Sequence, residues 1–303
     1  MAVTAAKIKK LREITGAGMS DCKNALVESD GDIDKAIELL REKGLAAAAK
    51  KAGRDATEGV VKTGIFGNVG VIVEINSETD FVAKNDEFVN YVNQVVEHVA
   101  KSNASNMDEL MNEKWLHDSS LSVAEALSSK IAVIGENLSI RRFVKVNTNG
   151  VLVDYIHAGG KVGVLLELNA TANDAVTEAG KNVCMQIAAM SPMFLDRSEI
   201  SDDFLVKETE ILRQQALNEG KSGDIVENMV KGRLKKQLKE YCLLDQEYVK
   251  AEGKETIEDY LKAISKEVGS EVSVNSFVRY ETGEGLEKKE ENFADEVNKV
   301  MQN

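Results

Sequence analysis

The run Gly67-Asn68-Val69-Gly70-Val71-Ile72-Val73-Glu74-Ile75-Asn76 recurs as Gly160-Lys161-Val162-Gly163-Val164-Leu165-Leu166-Glu167-Leu168-Asn169. Six of the ten positions are identical, and three more exchange one aliphatic residue for another. Each copy is rich in β-branched and aliphatic residues and reads as a strand. A second β-rich run precedes each, at 60–66 and 151–157, and a helical period follows each, to Ala100 and to Met190. The core is therefore expected to be two related β-β-α units, and the fold class α+β.

The copies diverge just after the repeated strand. The second continues Ala170-Thr171-Ala172-Asn173-Asp174 and enters its helix at once. The first inserts Ser77-Glu78-Thr79-Asp80-Phe81-Val82-Ala83-Lys84-Asn85, a longer loop with Asp and Phe side by side. Phe81 has two readings. It folds back onto the hairpin, which the usual burial of aromatics favours, or it is a wedge offered to a partner, with Asp80 orienting the loop.

Outward from this core, residues 1–44 read as three short helices. Thr4 and Asp32 cap the first and third, Thr15 to Met19 form a turn, and Ser20 starts the second. Met19 carries the same ambiguity as Phe81. An Ala/Lys stretch, Ala46 to Arg54, follows as a linker for which a helix stays open. Asn85-Asp86-Glu87 opens a helix that turns Phe88, Val92, Val95, Val96 and Val99 inward, and Ser122 to Glu125 is a capping box. Two amphipathic helices, at 202–219 and 225–241, flank Gly220-Lys221-Ser222-Gly223 and imply an antiparallel helical hairpin. Residues 271–280 read as a returning strand, 281–285 as a turn, and 290–301 as a C-terminal helix. The expected division is 1–54 (three helices and linker), 55–147 (first core subdomain), 148–195 with 244–282 (second), 196–243 (hairpin) and 283–303 (C-terminal module).

Composition narrows the function. The 303 residues carry a net charge of −13. Residues 1–54 sum to +3, leaving −16 for the rest. An acidic body disfavours nucleic acid, whose phosphates need Lys and Arg, and suits a protein partner. No apolar run is long enough to span a membrane, and no signal peptide is visible, which implies a cytoplasmic chain. Cys22, Cys184 and Cys242 are widely spaced and form no metal motif; Cys22 and Cys184 are expected as buried hydrophobes on helices. The glycines at 64, 67 and 70 lie between two strands, where a phosphate loop has no place. His98 is expected on a helix at the edge of the core or facing solvent, and His157 ends a strand at a position suited to a contact. No motif sets a nucleophile beside a base.

These residues resemble the elongation factor Ts family. Four stretches carry the likeness: Leu-Arg-Glu-Ile-Thr-Gly-Ala-Gly-Met-Ser-Asp-Cys-Lys-Asn-Ala-Leu (11–26), Gly-Asp-Ile-Asp-Lys-Ala-Ile (31–37), Thr-Asp-Phe-Val-Ala-Lys (79–84) and Gly-Glu-Gly-Leu-Glu-Lys (283–288). The resemblance implies a ubiquitin-associated-like N-terminal domain, a duplicated core, a dimerisation hairpin and a C-terminal module. It implies a guanine-nucleotide exchange factor for elongation factor Tu, with no cofactor and no covalent chemistry of its own. By match, Thr79, Asp80, Phe81 and Val82 would enter the GTPase near its magnesium site. Leu11, Met19, His157 and the helix after Glu290 would be further contacts. It leaves a homodimer through the hairpin open. Two other classes compete: a scaffold for which the Asp-Phe pair is dispensable, and an enzyme with a deep polar pocket of perturbed acids.

Overall fold

The computed structural model describes residues 3–287 and is a mixed α+β protein. The described residues form two compact units: one holds residues 3–61, 73–143 and 281–287; the other holds Lys62–Ile72 and Val144–Tyr280. The C-terminal helix expected beyond Glu290 lies outside the described residues.

Helices α1 (Ala5–Thr15), α2 (Met19–Glu28) and α3 (Ile33–Lys51) open the chain. Thr4 caps α1 by accepting the Lys7 N–H, and Asp32 caps α3 by accepting those of Asp34 and Lys35. Gly16, at φ 69°, ends α1. Leu11, Cys22, Ala25, Leu26 and Ala36 form their small shared core. The stretch read as a linker belongs to α3, which runs unbroken to Lys51. Alanine favours the helix there. Tertiary packing supports it as well: Gly44 is buried near Ala132, where a Cβ would make an ordinary contact at 3.6 Å, and Lys51 Nζ donates to the Ile131 carbonyl at 3.4 Å.

Strands β1 (Glu58–Phe66) and β2 (Val69–Ser77) meet at a turn where Gly67 takes φ 64°. There follow α4 (Asp80–Ala83), α5 (Asp86–Lys101), α6 (Met107–Asn112), α7 (Val123–Ile134) and β3 (Leu138–Asn147), and the sheet order is β1-β2-β3. Asn85 caps α5, which buries Phe88, Tyr91, Val92, Val95, Val96 and Val99. The capping box at Ser122 and Glu125 starts α7, and Gly135 ends it at φ 89°. His98 is a correction to the expectation that allowed it to face solvent. It is 4% exposed, because Trp115 stacks on its ring at 5.1 Å and covers that side of α5. Its Nδ1 accepts the Leu116 N–H, which leaves Nε2 to donate to Glu113.

The second unit contains β4 (Val151–His157), β5 (Val162–Asn169), α8 (Asp174–Met190), α9 (Asp202–Asn218), α10 (Asp224–Tyr241), α11 (Ile257–Val268) and β6 (Ser273–Glu281), with sheet order β4-β5-β6. β4 and β5 are antiparallel, with Val151 opposite Leu168 and His157 opposite Val162. Asn173 caps α8 directly after the strand. α9 and α10 form a hairpin with its own apolar seam of Leu212, Ala216, Val226 and Val230, bridged by Arg213–Glu227 at 3.1 Å and Arg233–Glu219 at 2.7 Å. Helix α11 is absent from the sequence expectations. Its start is nonetheless marked by a capping box, Thr256 with Asp259.

Candidate functional site

The inserted loop is one turn of helix. Thr79, in extended backbone, accepts the Val82 N–H on its hydroxyl at 3.3 Å and so caps α4. Asp80 follows in the first turn, where the helix dipole favours a carboxylate. Lys84 Nζ, one turn on, lies 2.8 Å from Asp80 Oδ2. Asn85 then ends this turn and begins α5 by accepting the Glu87 N–H.

The side chains divide sharply. Ala83 is buried and seats the turn. Phe81 is 81% exposed. The folded-back reading of Phe81 therefore fails in this structure. The cause is geometric: a single capped turn seats Ala83, and the phenyl ring two residues earlier leaves on another side.

Polar bonds hold the turn to the segment between α7 and β3. Glu136 receives two donors from Thr79: the hydroxyl on Oε1 at 2.7 Å and the backbone N–H on Oε2 at 3.0 Å. In the opposite sense, Glu78 Oε1 accepts the Asn137 N–H at 2.6 Å. Arg54 joins the same cluster. Its guanidinium lies 3.5 Å from Glu78, and its carbonyl accepts from the Asn137 side chain at 2.8 Å. Sequence reasoning missed Glu78 and Glu136. The signal available, Gly135 as a helix stop, marks the turn but not a partner 57 residues distant.

Thr79 to Val82 thus sit together in one turn. The other named residues are elsewhere. Leu11 is fully buried in the three-helix core and offers no surface; it supports the helices around it. Met19 is the first residue of α2, 48% exposed. His157 ends β4 in the second unit, exposed, with its Nδ1 3.0 Å from the Tyr155 hydroxyl. Ala158, Gly159 and Gly160 beyond it all take positive φ.

A cavity of about 300 Å³ lies beside the α1–α2 turn. Ile14, Ile37, Leu40, Ala132 and Val133 give it an apolar part, and the charged side chains Asp21, Arg41, Lys43 and Asp118 line it as well. Among the described residues no cluster of His, Cys, Asp or Glu could hold a metal ion, and no helix is long and apolar enough to cross a membrane.

The model of the family described as elongation factor TS matches residues 78–284. The chain is 54% identical to elongation factor Ts of Clostridium perfringens (strain SM101) over 302 residues, 98% of this chain and 99% of the relative. It is 53% identical to that of Clostridium botulinum (strain Eklund 17B) and 52% identical to that of Clostridium novyi (strain NT), each over 303 residues, with 99% of both chains covered. With a family model over most of its length and relatives matched from end to end, this chain belongs to the elongation factor Ts family.

Proposed function

We propose that this protein is a guanine-nucleotide exchange factor of translation elongation that binds elongation factor Tu in its GDP form and speeds GDP release. The observation that carries this reading is Phe81, an aromatic 81% exposed on an anchored turn in a chain of this family. A rigid, exposed aromatic is the kind of group that dominates a protein interface.

In the mechanism proposed, Thr79, Asp80, Phe81 and Val82 enter the GTPase near its magnesium ion. That ion bridges protein and phosphate oxygens, so disturbing it removes much of the electrostatic hold on the nucleotide. Coupling between two ligands is reciprocal: if the factor weakens GDP binding, GDP weakens the factor's binding by the same ratio. The factor therefore binds nucleotide-free Tu most tightly and is displaced by nucleotide with magnesium. Met19 and His157 are further contacts in this scheme, and Leu11 acts by holding the helices beside Met19. Residues 1–54 serve as a ubiquitin-associated-like domain, 55–147 and 148–195 with 244–282 as two core subdomains, 196–243 as a hairpin for dimerisation, and 283–303 as a C-terminal module.

The test is release of fluorescent GDP from elongation factor Tu, chased with excess unlabelled GDP at substoichiometric factor. The intact chain should turn over many Tu molecules, and Phe81→Ala should lower the stimulated rate about tenfold or more. Absence of stimulation by the intact chain would leave a scaffold role, and stimulation untouched by Phe81→Ala would move the work to other contacts.

A further inference from the structure

We infer that Glu136 is a positioning residue for Phe81, acting through Thr79 and completed by Glu78. This rests on the reading of Phe81 as the group that engages the GTPase.

A helix of one turn has no stability of its own, because nucleation fixes several residues for one hydrogen bond. Packing gives α4 little help: Ala83 is its one buried residue, and Phe81 stands in water. The direction in which Phe81 points must therefore be set by polar anchors. Glu136 supplies the central one. One carboxylate takes both the hydroxyl and the backbone N–H of Thr79. A hydroxyl has a single proton; with that proton on Glu136 Oε1, its lone pairs are free to accept the Val82 N–H. Glu136 thus fixes the rotor that caps α4. The bond from Asn137 N–H to Glu78 closes the junction from the other strand of the chain, so residues 78–79 and 136–137 are tied in both directions. Bonds to a carboxylate are stronger than neutral ones, which suits an anchor that must hold an exposed ring.

The experiment has two arms. In the first, amide hydrogen exchange is measured on the full-length chain without any partner. Glu136→Ala should speed exchange at the Val82 amide about tenfold or more, with Glu136→Gln, which keeps one acceptor, intermediate, and the amides of α5 unchanged. In the second, GDP release from Tu is measured for Glu136→Ala, Phe81→Ala and the double variant. Glu136→Ala alone should cost about tenfold, and in the Phe81→Ala background it should cost almost nothing, because both act through one ring. Unaltered protection at Val82 would overturn the inference, and so would losses that multiply in the double variant. If the intact chain fails to release GDP, the proposed function falls, while the first arm still decides whether Glu136 sets the turn.

Discussion

A Cβ on Gly59 would stand 2.2 Å from the carbonyl oxygen of Ile75, and a Cβ on Gly150 would stand 2.2 Å from that of Leu168. Ile75 and Leu168 share one place in the repeat, and each glycine lies seven residues before the end of its strand, Phe66 or His157. The two copies therefore share a backbone crossing that needs glycine. Alanine at Gly59, where φ is 126°, should cost about 3 kcal/mol or more, and at Gly150 about 2–3 kcal/mol. Gly53→Ala, with nothing within 4 Å, is the control and should fall within about 0.5 kcal/mol. Urea unfolding curves of the three variants decide it.

Glu74 is sealed from solvent and gathers Arg141 Nη1, Arg142 Nε, Asn76 Nδ2 and the Gly283 N–H. Its repeat counterpart, Glu167, accepts from Asn275 and Ser276. Burial pushes the Glu74 carboxyl up, but the Gly283, Arg141, Asn76 and Arg142 donors together outweigh it and hold it below the usual 4.5. A depressed carboxyl adds stability that is present above 4.5 and lost as pH falls through its folded value. Glu74→Gln should therefore cost about 2–3 kcal/mol at pH 7. Its melting temperature should converge on that of the parent as pH drops below 4.5.

His98 works in a separate window. Burial lowers its pKa below 6.5, against the opposing pull of Glu113, with His117 adding to the depression. The folded ring is thus neutral where an unfolded one takes a proton, so its contribution to stability is complete above 6.5 and falls away on acidification. Protonation also removes the acceptor of the Leu116 N–H. The emission of Trp115, the single tryptophan, should change as pH falls below 6.5; His117 also lies 5.2 Å from the indole, so His98→Gln should shrink that change and the double variant His98→Gln/His117→Gln should remove it.

All three thiols are buried. Burial pushes each one up, Cys242 to about 11 and Cys184 further. Thiolate is the reactive form, so a disulfide reagent at pH 8 should leave the folded chain untouched for minutes and modify three thiols in denaturant. One equivalent of fast reaction with the folded chain would contradict this placement.

Local signals were legible where one side chain meets a nearby backbone. The caps at Thr4, Asp32, Asn85 and Ser122 and the inward face of α5 could all be read from a few residues. Long-range choices were not. The Ala/Lys run at 46–51 suited linker and helix alike, and the state of His98 depended on Trp115 arriving from a later segment. The shared crossing at Gly59 and Gly150 was hidden because the connection between strands is two residues longer in the second copy. At the candidate site, the motif marked Thr79 to Val82, but the exposure of Phe81 and the grip of Glu136 depend on tertiary geometry.

The ring of Phe81 stands outside the core. Selection for folding and selection for action therefore fall on different residues. A library varied at position 81 and sorted for soluble expression should accept nearly every side chain. The same library sorted for growth on this factor alone should return a narrow set. In the proposed function, what keeps an aromatic there is the surface it meets, and not the chain that carries it.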